Sequence, residues 1–383
     1  MWTDRKADVR DTSGKRARDS SPVLNRLMAL TGDMIYLDKV MQDKWFVLQL
    51  AVWALRGVTR VILANNPLSG ALMLAALYWA SPWQGLLGTL GLLTSTLVAV
   101  ILGQDSAEVW GGLHGFNGML VSLLMGVFNS AGDWYWWLLL PVCLGSATTV
   151  FFFSGLSSVL DRWDLPVAVF PFNIVIVIYF LCTGPDNPYF PRRLAIPPSS
   201  VATNVTAVSA TEVLQGIPLG VGQIFACGSL GPSFLILAGL CLYSPLQAFH
   251  ALLGSAVGTL VGLSVAVRHE CLYSGLSGFN GALGCMAVGG FFFMFNWKTH
   301  LLAIASAFLS AYLDIALSNL LGATGLPACS WAATLTVTLL LLLRGSASAY
   351  RIPTGQVKAP EQNLRSRSRW EAGSTVERES TDV

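Results

Sequence analysis

Runs of apolar residues separated by short polar breaks fill most of this chain, and both of its ends are polar. A transmembrane helix needs about 20 apolar residues, and most of the runs approach that length. Those at 68–80, 213–227 and 232–243 are shorter, so we expect half-helices or re-entrant segments there, covered by protein or lining a cavity. The apolar runs lie at 46–64, 68–80, 84–103, 109–128, 134–153 and 165–182, and at 213–227, 232–243, 245–266, 271–295, 299–321 and 326–343.

Charged side chains are too scarce in the interior of the chain to cover a water-facing surface. Apolar residues make up 54% of the 383-residue sequence and charged residues 11%, whereas soluble domains are about 25% charged. Residues 45–343 contain seven basic and nine acidic side chains. A soluble enzyme, a nucleic-acid-binding protein and a disordered scaffold are therefore excluded, and the sequence predicts an all-α integral membrane protein.

The residue types that carry chemistry do not form the pattern of a metal, cofactor or catalytic site. The seven cysteines are scattered through apolar segments without a CxxC pair, and we expect them to be buried small residues. His114, His250 and His300 lack the spacing of metal ligands. We find no nucleophile–base set and no phosphate-binding loop, so we expect neither enzymatic activity nor a bound cofactor.

The chain contains an internal repeat. Residues Gly112–Leu120 read GLHGFNGML, and residues Gly275–Leu283, 163 positions later, read GLSGFNGAL. Three further matches occur in the same order near the same spacing, so the sequence predicts two copies of one membrane module. These matches are Ser81–Gln84 with Ser244–Gln247, Thr96–Val98 with Thr259–Val261, and Leu165–Val169 with Leu326–Ser330.

The distribution of charge predicts how the two copies are oriented. Basic residues lie close to the first and last apolar runs, which favours cytoplasmic termini. The central linker contains Asn204-Val205-Thr206, an N-glycosylation acceptor at Asn204 that functions only outside the cell. Each copy would then have an odd number of spans and the two would be inverted, as in transporters and channels with a solute path at the repeat interface. The predicted domains are a cytoplasmic tail (1–44), a first repeat (45–182), an extracellular linker (183–212), a second repeat (213–344) and a cytoplasmic tail (345–383).

The duplicated Phe-Asn-Gly motif supplies candidates for the walls of a pore. Its glycines allow close packing of helices. Phe116 and Phe279 could form a flat apolar wall on each side of a symmetric pore. Leu120 and Leu283 follow four residues later and therefore lie on the same helical faces as the phenylalanines.

Matching polar residues lie near the ends of two apolar runs. Arg60 in the first copy corresponds to Gln223 in the second. A buried arginine costs roughly 2.5 kcal/mol or more unless it reaches water or a partner. The sequence leaves open whether Arg60 faces a pore or extends to the membrane surface. The following segment, Asn65–Gly70, indicates a break between half-helices.

Two further features suggest alternatives or partners. Asp314 lies inside an apolar run, and an intramembrane carboxylate is a candidate for coupling to protons or cations. It is the basis of the alternative hypothesis, an ion-coupled secondary transporter of a small polar solute.

At the C-terminal end of the sequence, Thr381-Asp382-Val383 fits the C-terminal pattern that PDZ domains bind.

Several motifs carry a resemblance to a known family. From about residue 30 to about residue 345 the chain resembles the vertebrate urea transporter family. The resemblance implies a facilitative urea channel with ten spanning helices and two tilted re-entrant pore helices in two inverted halves. It also implies a homotrimer in the plasma membrane, with a separate pore in each subunit. The motifs are Asn65–Gly70, the duplicated Gly-Leu-x-Gly-Phe-Asn-Gly, Trp136–Cys143, Asp164–Val167 with Pro171–Asn173, and Gly325–Cys329.

The resemblance also implies a site, in which urea passes through a flat apolar slot edged by hydrogen-bond acceptors. This chain departs from the family at three positions: Arg60 replaces a glutamine, Val169 replaces a threonine, and Ser330 replaces a threonine but keeps a hydroxyl. We therefore expect weaker urea selectivity or a shifted solute range, with rejection of cations by Arg60, while Gln223 and Ser330 preserve the second half. The implied apolar walls are Val61, Leu63, Phe116 and Leu120, and Ile224, Ala226, Phe279 and Leu283.

Overall fold

The computed structural model describes residues 30–200, 207–344 and 350–365. The described residues form an all-helical structure in which the only β-pairings are two isolated bridges. The apolar, all-α prediction is therefore confirmed. The α-helices are α1 (Tyr36–Met41), α2 (Phe46–Arg60), α3 (Pro67–Ala80), α4 (Pro82–Ile101), α5 (Ser106–Trp110), α6 (Gly115–Phe128), α7 (Leu139–Leu160), α8 (Phe170–Thr183), α9 (Ala210–Gln223), α10 (Leu230–Tyr243), α11 (Pro245–Ser264), α12 (His269–Tyr273), α13 (Phe279–Met286), α14 (Trp297–Gly322) and α15 (Trp331–Leu341).

Helix lengths in the structure are more uneven than the apolar runs suggest. Four helical stretches of the described chain are long and apolar enough to cross a membrane: 82–101, 136–163, 245–264 and 297–322. The short apolar runs at 68–80 and 232–243 form helices of 14 residues each. Other runs are shorter than expected because left-handed residues interrupt them, as Ala168 does at φ 47°. Helix α8 therefore starts only at Phe170, although the apolar run begins at Leu165.

The order of helices in the first half recurs in the second. Helices α2 to α6 correspond to α9 to α13 at the spacing of 163 residues. Helices α7 and α8, which complete the first half, correspond in order to α14 and α15. The unusual backbone conformations recur as well. Leu63 and Ala226 have φ values of 57° and 54°, and Ala168 and Cys329 have values of 47° and 49°. Non-glycine residues rarely adopt positive φ, so their repetition reflects a shared local fold.

Small residues bring the helices of each half into close contact. A Cβ atom added to Gly118 of α6 would lie 2.6 Å from the carbonyl oxygen of Gly91 in α4 and would also clash with Ser95. A Cβ added to Gly281 of α13 would lie 2.5 Å from the carbonyl oxygen of Gly254 in α11. These distances are too short for any side chain, so the glycines of the repeated motif do act in packing.

The helix starts use matching caps. Ser81 Oγ accepts a hydrogen bond from Gln84 N at 3.3 Å, and Ser244 Oγ accepts one from Gln247 N at 3.0 Å. In each case a proline follows the cap at the first helical position, where its missing N–H costs nothing. The predicted break at Asn65–Gly70 is confirmed, because α2 ends at Arg60 and Asn66 caps the start of α3.

Residues 350–365, which we call the C-terminal strap, pack against the helices. Arg351 Nη2 lies 3.1 Å from the carboxylate of Asp164, and Thr354 Oγ1 donates to the same carboxylate at 2.7 Å. Farther along, Asn363 Nδ2 donates to the carbonyl of Gly290 at 3.0 Å. This part of the tail predicted at 345–383 is therefore an ordered part of the fold, bound to the loop that precedes α8.

The first described residues, around Gly32 and Asp33, lie beside the C-terminal strap. Gly32 N donates to the carbonyl of Tyr243 at 3.0 Å, and Tyr243 Oη donates to the carboxylate of Asp33 at 3.0 Å. Burial raises the pKa of the Asp33 carboxyl, while the positive charge of Arg60 opposes that rise. Asp33 N also contacts Gln362 of the strap. The segments near both ends of the described chain thus meet on one side of the molecule.

Candidate functional site

A continuous cavity of about 990 Å³ lies between the two halves, and its walls are mostly apolar. The structure brings all twelve of the predicted site residues to this cavity, although they come from segments up to 270 positions apart. They are Arg60, Val61, Leu63, Phe116, Leu120, Val169, Gln223, Ile224, Ala226, Phe279, Leu283 and Ser330.

The cavity has two ends of different composition. At one end, which we call the strap-side vestibule, Thr354 and Val357 of the strap lie with Glu108 and Asp161. At the other end, the linker-side vestibule, the linker residues 194–196 lie with Arg268 and Asp314. The cavity therefore extends from the side of the molecule that carries the C-terminal strap to the side that carries the linker.

Arg60 and Gln223 occupy equivalent places in the two halves. Each is the last residue of its helix, and each donates to the carbonyl of an equivalent residue: Arg60 Nε to Gly111 at 2.8 Å and Gln223 Nε2 to Ser274 at 2.9 Å. The two side chains differ in the hydrogen-bonding groups that they have left after making this bond. Gln223 keeps a carbonyl oxygen that can accept a hydrogen bond, whereas a guanidinium offers only donors. Arg60 and Gln223 both border the cavity.

The loop before α8, residues 167–169, lines the cavity and is held by the asparagine of the Phe-Asn-Gly motif. Asn117 Nδ2 donates to the carbonyl of left-handed Ala168 at 3.2 Å. Its Oδ1 accepts from Phe172 N at 3.1 Å. One buried amide therefore fixes both the loop and the first turn of the helix that follows.

The second half repeats this arrangement. Asn280 Nδ2 donates to the carbonyl of Cys329 at 3.0 Å, and its Oδ1 accepts from Ala333 N at 3.2 Å. Sequence analysis identified the motif but not the role of its asparagine. A signal was present, because an amide side chain recurs at one position inside two otherwise apolar segments, where an unpaired polar group would be costly.

Ser330 and Val169 differ in what they present to the cavity. Ser330 Oγ and its backbone N donate to the Asn173 side chain at 3.4 and 3.2 Å. Because the hydroxyl proton is directed at Asn173, the lone pairs of the oxygen remain available as acceptors. Val169 occupies the equivalent position in the first half and has no polar side-chain atom.

Charged residues border both vestibules. His114 Nε2 lies 3.2 Å from the Glu108 carboxylate, and the His114 ring packs edge-on against Phe153 with a centroid distance of 4.5 Å. On the linker side, Arg268 pairs with Glu270 at 2.8 Å. In the described part of the chain, no three His, Cys, Asp or Glu side chains are placed to hold a metal ion.

Two of the sequence-based predictions concern residues that the structure does not describe. The glycosylation acceptor Asn204 and the C-terminal residues Thr381–Val383 both lie outside the described residues. Of the seven cysteines, all free, Cys227, Cys271 and Cys285 are buried as expected, whereas Cys182 and Cys241 are exposed. The prediction of buried cysteines is therefore wrong for Cys182 and Cys241.

Comparison with known proteins identifies a family. The sequence profile of the family "Urea transporter" matches residues 51–345. The protein "Urea transporter 1" of Rattus norvegicus is 43% identical over 337 residues, which cover 87% of this chain and 88% of the rat protein. The protein of the same name from Mus musculus has the same identity and coverage. That of Ovis aries is 42% identical, again over 87% of this chain and 88% of its own length.

Proposed function

Because the chain belongs to the urea transporter family, we propose that the cavity between its two halves is the path by which urea crosses the membrane. The protein is a passive urea transporter and not an enzyme. The observation that carries the proposal is the convergence of twelve residues from matching positions of both repeats on one continuous cavity.

The lining of the cavity suits the chemistry of urea. Urea is planar and uncharged and has more hydrogen-bond donors than acceptors, so apolar walls can enclose its faces while oxygen atoms at the edges accept from its N–H groups. Phe116 and Phe279 would supply the walls, and Gln223 and Ser330 would supply side-chain acceptors. Each water contact that urea loses must be replaced, since an unpaired buried polar group costs roughly 1–3 kcal/mol. A bare cation would meet the same apolar walls at far greater cost.

We propose that the two halves contribute unequally. Gln223 and Ser330 leave acceptor atoms toward the cavity in the second half, whereas Arg60 offers only donors and Val169 offers no polar group. Urea would therefore be held less well at the constriction of the first half. The positive charge of Arg60 would also repel cations at that point.

We propose that the two repeats are inverted, with five spans and one tilted re-entrant pore helix each. The directions of α7 and α14 support this. Helix α7 begins on the linker side, where Tyr135 Oη donates to a linker carbonyl at 2.7 Å, and it ends on the strap side near Asp164. Helix α14 begins on the strap side, where Met294 N donates to a strap carbonyl at 2.7 Å. It ends on the linker side, where Asn319 accepts from a linker backbone N–H at 3.0 Å.

We also propose a location and an assembly. The basic residues near both ends favour cytoplasmic termini in the plasma membrane, which would make the linker extracellular and Asn204 available for glycosylation. A homotrimer with one pore per subunit is proposed from the family resemblance. A PDZ-domain partner at Thr381–Val383 is a separate proposal that rests on the sequence alone. The proposed domains keep the predicted bounds, so the linker at 183–212 includes the last residue of α8 and the first three residues of α9.

A tracer experiment tests passive transport against the ion-coupled alternative, which the comparisons do not favour. Proteoliposomes containing the full chain should take up labelled urea until inside and outside concentrations are equal. Collapsing the proton and sodium gradients should leave both the rate and the end point unchanged. Accumulation above the outside concentration that disappears with either gradient would instead support coupling, for which Asp314 would be the candidate residue.

A further inference from the structure

The linker-side vestibule contains a buried carboxyl group that the proposed urea path does not use. Asp314 lies in the C-terminal half of α14 and borders the cavity, and only 5% of its surface is exposed. Ser318 Oγ donates to its Oδ1 at 3.4 Å, and the amide of Asn280 interacts with the same carboxyl group. In the described residues, none of the ion pairs includes Asp314.

The first repeat has no counterpart of this group. The position 161 residues earlier is Phe153, which also borders the cavity, and Ser157 stands where the second repeat has Ser318. The carboxyl group is therefore an addition to one end of an otherwise repeated lining. Its place in the lining of the cavity distinguishes it from a carboxylate that serves packing alone.

The charges around Asp314 leave it without a cationic partner. Arg268 borders the same vestibule, but its guanidinium pairs with Glu270 at 2.8 Å. The other titratable groups nearby are the thiols of Cys271 and Cys329, which carry no positive charge. A carboxylate can accept about four hydrogen bonds, and the protein supplies only a weak one from Ser318 and the interaction with Asn280. The carboxyl group therefore has acceptor capacity left beside the cavity that it borders.

We propose that the linker-side vestibule is a binding site for planar guanidinium or amidinium cations, which pair with the Asp314 carboxylate and compete with urea. This inference rests on the proposed function, because it assumes that the cavity is the urea path. A guanidinium ion has the planar shape of urea and differs from it by one nitrogen in place of the oxygen and by one positive charge. It can present two parallel N–H donors to one carboxylate, which is a strong and directional contact.

The lining of the site favours such a cation once it has entered. Phe279 borders the cavity and directly precedes Asn280, whose amide interacts with the Asp314 carboxyl group. An aromatic face attracts a planar cation. Farther along the path, Arg60 would repel the same cation. The structure therefore predicts a ligand that binds and blocks from the linker side without passing through.

The test measures labelled urea uptake by oocytes expressing the full chain, with guanidinium chloride in the outside medium at millimolar concentration. Tetramethylammonium chloride at the same concentration controls for ionic strength. We expect guanidinium to inhibit wild-type uptake, and Asp314→Asn to raise the half-inhibitory concentration by about tenfold or more, the loss expected for a charge-assisted contact. Glu108→Gln, which removes a carboxylate from the opposite vestibule, is the matched control and should leave the half-inhibitory concentration unchanged. Inhibition is expressed relative to the uninhibited flux of each variant.

Three results would overturn the inference: no inhibition of a wild-type protein that carries urea, equal inhibition of wild type and Asp314→Asn, or loss of inhibition in Glu108→Gln instead. If the wild type carried no urea, the proposed function itself would fail, which is a separate outcome. A second measurement covers the case of an Asp314→Asn variant with too little flux. Millimolar guanidinium should raise the melting temperature of purified wild type relative to tetramethylammonium, and an equal rise in purified Asp314→Asn would contradict the proposal.

Discussion

Replacement of Asn117 by leucine tests how the loop before α8 is held. The change removes the hydrogen bond to the carbonyl of Ala168 (3.2 Å) and the one from Phe172 N (3.1 Å). Leucine has a similar volume, so little packing is lost, but two buried backbone groups lose their partner. Each costs roughly 1–3 kcal/mol, which gives a total of about 2–6 kcal/mol. Since a domain is stable by only about 5–15 kcal/mol, we expect the loop to move so that its polar groups regain partners.

The consequence should appear in both transport and stability. We expect Asn117→Leu to reduce urea flux by more than about tenfold, because 1.4 kcal/mol at the path already corresponds to that factor. Its melting temperature in detergent should fall as well. Asn117→Asp keeps the acceptor for Phe172 N and loses only the donor to Ala168, so it should lie between the leucine variant and the wild type.

A matched control separates the effect on the loop before α8 from the general effect of losing a side-chain amide. Asn319 also bonds two groups, but at the linker-side end of α14, and it is not among the residues that border the cavity. Asn319→Leu should change urea flux by less than about twofold, as surface substitutions cost about 0.5 kcal/mol or less. Wild-type flux and melting temperature in Asn117→Leu would refute the reasoning, as would an equal loss of flux in the two leucine variants.

Three other predictions follow from contacts of the fold. The double variant Arg60→Gln with Val169→Thr restores acceptors to the first half and should raise urea flux, by about fivefold for roughly 1 kcal/mol of added hydrogen bonding. Unchanged flux would count against these positions as part of the path. Gly118→Ala should destabilise the fold by about 1–3 kcal/mol, because its Cβ would meet Gly91 and Ser95. Gly155→Ala is the control and should leave the melting temperature unchanged, because no heavy atom lies within 4 Å of the added Cβ. Asp164→Asn should weaken the binding of the C-terminal strap by about 1 kcal/mol. The amide hydrogens of residues 350–365 should then exchange faster than in the wild type. Equal exchange rates in the variant and the wild type would show that the carboxylate does not anchor the strap.

The repeat made much of the site predictable from the sequence. Phe116 and Phe279 stand out because they recur in one motif at one spacing, and helical periodicity adds Leu120 and Leu283. The family resemblance supplied the less conspicuous members such as Ala226. All of these residues border one cavity, because the two copies fold alike and therefore place equivalent residues at equivalent points.

Other features depend on contacts that a linear pattern does not contain. The apolar run at 165–182 suggested a helix throughout, but Ala168 is left-handed, and alanine gives no signal of that conformation as glycine would. Polar residues 350–365 suggested part of a free tail, but they are held by Asp164, which lies almost 190 positions earlier. The bonds of Asn117 likewise join residues more than 50 positions apart.

The most direct test of the central claim is the efflux of labelled urea from vesicles that contain the wild type, the Leu283→Trp variant or lipid alone. Leu283 borders the cavity, and tryptophan would fill the space through which a planar solute passes. We expect urea to leave wild-type vesicles much faster than protein-free ones, and Leu283→Trp vesicles at close to the rate of bare lipid. Efflux from wild-type vesicles no faster than from lipid, or equally fast through the tryptophan variant, would contradict a urea path between the two halves.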